Sequence, residues 1–267
     1  MRDRLAKRFA VALLLVAVAQ RAFAQAPANQ PLAFGTSVKL VAVPVFVTDK
    51  SGRAVSGLAQ GDFEIEDRLQ ATGGQALRIR GSRATYDELF LPMFGEHAAQ
   101  NAAAAIVALE ALIDKALDPD VAREALSLVR WPGRMEIARR HPTILLDGAH
   151  NPAGAEALTV ALREAFIWER LHVVTSISAN KDIPGIVRPL AALADIAYVA
   201  TNTNERSADP LLIAEEFAVL DEPVLLFDSV AEALEAALAV ADETDLIVVT
   251  GSLYTVADAH RALGEPF

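Results

Sequence analysis

Residues 143–158 read TILLDGAHNPAGAEAL. A short apolar strand, Thr143 to Asp147, runs into Gly148, and Asn151-Pro152 then opens a helical pattern. Asparagine suits the N-cap because its side chain accepts a bond from an orphan backbone N–H. Proline suits the first helical turn because it has no N–H to leave unpaired. Asp147 and His150 are therefore expected at the carboxyl edge of a strand, beside the positive end of a helix dipole. There a carboxylate suits a pair of ribose hydroxyls, and an imidazole suits a nucleotide base or phosphate. The pattern alone leaves two readings open: a nucleotide-facing edge, or a well-capped βα turn with no ligand.

Downstream the same alternation repeats. Apolar strands are expected at Thr143–Asp147, Leu171–Ile177, Ile196–Thr201, Val224–Phe227 and Leu246–Thr250. Helical patterns follow at Pro152–Phe166, Pro184–Leu193, Pro210–Val219, Val230–Val240 and Val256–Leu263. Strands alternating with helices of this length mean βαβ units. The fold class is therefore α/β, with a mostly parallel sheet buried on both faces. Right-handed crossovers place the ligand loops at the carboxyl ends of the strands. Upstream, Ala102–Leu117 and Val121–Val129 read as two Ala/Leu-rich helices split by Asp118-Pro119. Four segments result: 1–24 as a signal peptide, 25–67 as a linker with a small β module, 68–130 as a helical segment, and 131–267 as the α/β domain.

The first segment carries Arg2, Arg4, Lys7 and Arg8 ahead of FAVALLLVAVA (9–19), and Ala22-Phe23-Ala24 closes it. A basic start, a short apolar run and an A-x-A exit are the form of a secretory leader. The run is too short to span a bilayer as a helix, so no stable membrane insertion is expected once the leader is removed. Residues 25–36 are polar and proline-containing. Val41, Val43, Val45 and Val47 alternate as in a strand, with Pro44 marking an edge or a bulge, and Phe63-Glu64-Ile65 reads as another short strand.

The composition sets further limits. The chain has 267 residues, 53% hydrophobic and 22% charged, which is globular rather than disordered. It contains no cysteine, so a disulfide framework, a thiolate metal site and a cysteine nucleophile are excluded. The net charge of −11 opposes broad electrostatic capture, and nucleic acid is not an expected partner. The sequence does not specify an oligomeric state.

Two resemblances stand on these residues. Val43 to Thr48, Asp49, Gly52, Val55, Gly57-Leu58 and Asp62-Phe63 resemble the leading β segment of secreted acidobacterial proteins related to the von Willebrand factor A domain. The adhesive domain's metal signature D-x-S-x-S is absent, and a plain hairpin module without a site is the favoured reading. The second resemblance is more specific. Trp131-Pro132-Gly133-Arg134 with Glu136, then Asp147 to Pro152, then Thr250 to Ala259 resemble the folylpolyglutamate synthase/dihydrofolate synthase family of the Mur ligase superfamily. Asn180-Lys181-Asp182 resembles that family's D-K-D segment, and Ser207-Ala208 lies where it has Ser-Arg-Ala. Leu91 to His97 with Asn101-Ala102 resemble the start of the helix that ends its central domain.

The resemblance implies a Mur ligase C-terminal Rossmann-like domain preceded by a helical remnant of the central ATPase domain. It implies ATP and Mg²⁺, with folate or dihydropteroate and glutamate as partners, and amide formation through an acyl phosphate. In the same terms Asn101 contacts adenine, Asp147 the ribose, His150 the nucleotide side, and Arg134 the terminal phosphate, as the catalytic residue. An arginine is always charged and presents a planar fork to phosphate oxygens. Without its W-P-G-R context, Arg134 reads as a solvated surface residue. His97 is as well explained structurally, and His141, His172 and His260 read as structural or exposed. No metal ligands are expected. The family's P-loop, G-x-x-x-x-G-K-[ST], has no counterpart, since Gly-Lys occurs nowhere in the sequence. The main phosphate and metal site is thus expected to be missing, and the chain to be a fragment or fusion inactive alone. The leader points to export and the ligase-like half to the cytoplasm, a conflict that a fusion of two halves accounts for.

Overall fold

The structure, a computed structural model, describes residues 64–218 and 224–264. The expected leader, the linker, the Val41–Val47 strand and the von Willebrand-like pattern lie outside the described residues. The described chain divides into two compact units. Met93–Gly95 belong to the second unit with everything from Arg130 onward, and the residues on either side of them up to Val129 form the first. Among the described residues no helix is long and apolar enough to cross a membrane.

The first unit opens with an antiparallel meander, β1 (Glu64–Ala71), β2 (Gly74–Arg80) and β3 (Thr85–Leu91), in that spatial order. Helices α1 (Glu96–Ile113) and α2 (Pro119–Ser127) follow. Asp118 caps α2 and Pro119 starts it, as the sequence implies. The two helices were expected in 68–130; of the strands ahead of them only the start of β1 was, in the short strand read at Phe63-Glu64-Ile65, and β1 runs on through the boundary drawn at residue 67. Glu110 on α1 is fully buried, and its carboxylate is an anchor for the β2–β3 turn. It accepts bonds from Ser82 N at 2.7 Å, Ser82 Oγ at 2.9 Å, Arg83 N at 3.1 Å and the Tyr86 hydroxyl at 2.7 Å. A buried carboxylate is tolerated only when its lone pairs are filled in this way. Burial, and then the bond to Glu110, push the Tyr86 phenol up to about 12.

The second unit is the α/β domain. Its six strands are β4 (Glu136–Arg139), β5 (Thr143–Leu146), β6 (Leu171–Thr175), β7 (Ile196–Ala200), β8 (Val224–Phe227) and β9 (Leu246–Thr250). Their spatial order is β4-β5-β9-β6-β7-β8, all parallel except the antiparallel edge strand β4. The helices are α3 (Pro152–Ala165), α4 (Ile183–Ala191), α5 (Pro210–Phe217), α6 (Val230–Val240) and α7 (Leu253–Leu263). Chain direction explains the layers. From β5 to β8 the strands step one way, so right-handed crossovers put α3, α4 and α5 on one face. The return from β8 to β9 reverses the step and puts α6 on the other face, where α7 joins it.

Each face has its own core. Leu158, Leu162, Ile186, Leu190 and Phe217 pack on Leu145, Val173 and Val248, while Val230, Leu234 and Val256 pack on Leu146, Val174 and Val249. Every residue of β6 and β9 is buried. At about 1.5–3 kcal/mol for each fully buried aliphatic side chain, these two strands carry much of the unit's stability.

The amino ends of the strands are tied by a polar knot. The Asp245 carboxylate accepts from Arg170 N at 3.1 Å, Arg170 Nη2 at 2.7 Å and Asp242 N at 2.9 Å. His172, wholly buried, lies 3.2 Å from Asp245 through Nε2 and 3.1 Å from the Tyr198 hydroxyl through Nδ1. A proton on Nε2, assigned from this network, lets the ring donate to Asp245 and accept from Tyr198. This is the structural role expected for His172, and His141 is exposed in the turn before β5, also as expected.

Candidate functional site

Because β4 runs against β5, its amino end lies beside the carboxyl end of β5: Glu136 pairs with Leu146. The turn 131–135, just before β4, is thereby brought against the loop 147–151, just after β5. This placement, invisible in the spacing of the motifs, joins W-P-G-R to D-G-A-H-N-P. Gly148 N donates to Gly133 O at 2.7 Å, and Asp147 binds across the same seam. One Asp147 oxygen accepts from Met135 N at 2.9 Å and the other from Ala149 N at 2.8 Å.

Asp147 is buried, and burial pushes its carboxyl above the usual range. The Arg134 guanidinium, the Ala149 amide and the Met135 amide pull in the opposite direction without overcoming it. Arg134 is half-buried, and its Nη1 donates to Gly133 O at 3.2 Å. A Cβ on Gly148 would lie 2.5 Å from that Nη1 and would also strike Leu253, so a larger residue there would displace the guanidinium from the loop. His150, also half-buried, has Nδ1 2.9 Å from Gly148 O. Asn151 caps α3 through a bond from Gly154 N at 2.8 Å, and Pro152 starts the helix, as the sequence implies.

The structure thus brings Arg134, Asp147 and His150 together on one edge. Asn101 belongs to the other unit, where it is exposed on α1, one turn after the half-buried His97. Of the remaining motif residues, Lys181 is exposed and Asp182 caps α4 through Gly185 N at 3.0 Å. Ser207 joins a polar cluster: its Oγ lies 3.1 Å from Ser176 Oγ, and Asn202 N reaches both hydroxyls. Asn202 also donates to Thr255 Oγ1 at 3.2 Å, which fixes the loops after β6 and β7 against α7.

Sequence reading missed the part played by His260. It is buried, and its Nε2 lies 3.1 Å from Glu136 Oε2, the same oxygen that accepts from Gly133 N at 2.8 Å. The signal was present, since the stretch Thr250–Ala259 stops one residue short of it.

In chemical terms the edge offers a guanidinium, an imidazole and a partly committed carboxylate next to a capped helix start. That donor set fits the ribose and phosphate side of a nucleotide. Among the described residues there is no group of three or more His, Asp or Glu side chains placed to hold a metal ion.

Comparison with known proteins bears on the fold and its relatives. Residues 133–253 match the Mur ligase, glutamate ligase domain family. The chain is 32% identical over 238 residues to the dihydrofolate synthase/folylpolyglutamate synthase of Mycobacterium tuberculosis, covering 80% of this chain and 48% of that protein. It is 28% identical over 206 residues to the Bacillus subtilis protein of the same name, covering 74% of this chain and 46% of the relative. The structure of the Mycobacterium tuberculosis folylpolyglutamate synthase complexed with ADP superposes with a TM-score of 0.74 at 32% identity, over 78% of this chain and 49% of that one. That of a bifunctional folylpolyglutamate synthase/dihydrofolate synthase with Mn, AMPPNP and L-glutamate bound gives 0.65 at 26% identity, over 77% of this chain and 47% of that one. The chain spans about half the length of the curated relatives it matches. Its second unit has the Mur ligase C-terminal fold, a mixed and mostly parallel α/β sheet, and the chain is homologous to the folylpolyglutamate and dihydrofolate synthases.

Proposed function

We propose that this chain supplies the C-terminal lobe of an ATP-dependent, amide-forming ligase that adds glutamate to dihydropteroate or folate, and that it does not catalyse alone. The observation that carries the reading is the seam between the two turns, which sets Arg134, Asp147 and His150 on one edge. In this reading Arg134 offers its permanent charge to the terminal phosphate. Asp147 meets the ribose hydroxyls with the lone pairs that Met135 and Ala149 leave open, and His150 faces the nucleotide side. By the family resemblance, Asn101 is assigned to adenine. ATP, when bound, supplies the phosphoryl group that activates a carboxylate toward the amine of glutamate. The described residues do not form a Mg²⁺ site, and no Gly-Lys dipeptide occurs to hold the β- and γ-phosphates.

Nuclear magnetic resonance titration of the full chain tests the reading. ADP is expected to bind weakly, with a Kd on the order of 1 mM, equivalent to about 4 kcal/mol. The shifted amides should lie in 133–135 and 147–151. Absence of any shift overturns the nucleotide-facing edge, and ATP-dependent addition of glutamate to dihydropteroate by the chain alone overturns the claim of inactivity.

A second reading rests on the run 9–19 and the Ala22-Phe23-Ala24 exit: an exported β-module protein in which the ligase-like half is a non-catalytic scaffold. A mature chain beginning at Gln25 outside the cytoplasm supports it. An uncleaved chain in the cytosolic fraction eliminates it.

A further inference from the structure

Arg134 is flanked by two residues in the left-handed region, Gly133 at φ 67° and Met135 at φ 48°. For methionine that conformation is unfavourable by about 1–2 kcal/mol, and it persists only where the surroundings impose it. Here both flanking amides are pinned by carboxylates. Met135 N donates to Asp147, and Gly133 N donates to Glu136 Oε2 at 2.8 Å. Glu136 is itself held from behind by His260 Nε2 at 3.1 Å, and His260 sits in the last turn of α7, where its side chain is 3% exposed. The Gly133 carbonyl is taken by Gly148 N. The turn is thereby fixed at both of its backbone flanks, and its one outward-reaching charge is the guanidinium.

We propose that Glu136, backed by His260, is a positioning residue: it sets the direction of the Arg134 guanidinium by holding the Gly133 amide, and so acts on a bound phosphate only through Arg134. The assignment rests on the reading of Arg134 as a phosphate-facing group. Glu136 has no need to touch the ligand. Its Oε2 is saturated by the two N–H groups, and the α7 side chain behind it prevents the carboxylate from swinging away.

The test uses the full chain in five forms: unaltered, R134A, E136A, E136Q and the double variant R134A/E136A. ADP is titrated into each, and amide hydrogen exchange is followed at Gly133, Arg134 and Met135. E136A is expected to weaken ADP binding about 3–10-fold, the worth of roughly one hydrogen bond. E136Q keeps an amide oxygen as acceptor and is expected to recover most of the loss. The double variant is expected to bind no more weakly than R134A, because a group that acts through Arg134 has nothing left to position. Exchange at Gly133 is expected to accelerate at least about tenfold in E136A. Additive losses in the double variant, or ADP affinity in E136A equal to that of the unaltered chain, overturn the proposal. If the unaltered chain binds no ADP, the nucleotide reading fails by itself and the exchange arm decides: unchanged protection at Gly133 in E136A overturns the hold on the turn, and faster exchange sustains it.

Discussion

Gly148 separates space from chemistry at the candidate site. A methyl group added there would lie 2.5 Å from Arg134 Nη1 and 2.4 Å from Leu253 Cδ2, so both side-chain ends would have to move aside. G148A is therefore expected to destabilise the domain by about 1–3 kcal/mol, as overpacking does, and to push the guanidinium off the loop. A lowered Tm together with loss of ADP-induced shifts at 133–135 checks this, and a lowered Tm with unaltered shifts refutes the steric link to Arg134. The residues around Gly148 were legible in the sequence to unequal degrees. Asn151 and Pro152 announced their capping role because that role is local and its chemistry lies within four residues. The pairing of Glu136 with His260 was not announced, because they are 124 positions apart, although Glu136 belongs with the W-P-G-R motif and His260 stands one residue beyond Thr250–Ala259. The position of Asp147 leaves a ribose ligand and a ligand-free turn equally open, and its ribose role is implied by the family resemblance. The amides of Met135 and Ala149 that occupy its carboxylate come from the fold of two turns, which no spacing reveals.

Among the elements, caps and long buried strands were the easiest to read. Val224–Phe227, Leu246–Thr250 and Val230–Val240 match their expected limits, since apolar runs end where turn residues begin. Helix α7 starts three residues before its expected limit, because Ser252 caps it through Tyr254 N. In the meander the start of β1 was legible at Glu64-Ile65, whereas β2 and β3 escaped notice for a physical reason. Pairing of β2 with β3 shifts register between Leu77 and Ile79, and Glu88 in β3 has a φ of 57°. The alternation that marks a strand is thereby interrupted. β4 is only four residues long and has no fully buried side chain, so it leaves almost no pattern. Capping gives a clean test at this scale. N151A removes the acceptor for Gly154 N and is expected to cost about 1 kcal/mol, read as a drop in Tm of a few degrees. A similar loss of Tm for N151D, which keeps the acceptor, contradicts the capping account.

At the scale of the whole molecule, the α/β domain has its candidate site at one pole of the sheet and the Asp245 knot at the other. Burial works to raise the Asp245 carboxyl, but the Asp242 amide, Arg170 and His172 together outweigh it and leave it below the usual aspartate range. A carboxylate with a depressed folded-state pKa adds stability that is present above its unfolded value near 3.9. That stability is lost as pH falls through the folded value. The unaltered chain is therefore expected to lose stability steeply below about pH 4, and D245N to show a shallower slope in the same range. Because D245N weakens the bonds from Arg170, Asp242 N and His172, its stability at neutral pH is also expected to fall. Denaturant titrations of both forms from acid to neutral pH check the slope and the offset. Parallel curves would place the acid sensitivity elsewhere.

The reversed edge strand has a consequence for how such a site changes over time. β4 holds the sheet through one neighbour only and contributes nothing to either fully buried central strand. The turn that precedes it is nonetheless tied to the interior, because Met135 is 2% exposed and belongs to the same core as Leu145 and Ala149. A scaffold built in this way seats the Arg134 guanidinium just ahead of an outer strand whose root is bolted to the core, so a substitution that re-aims the charge must also be absorbed by the packing beneath it.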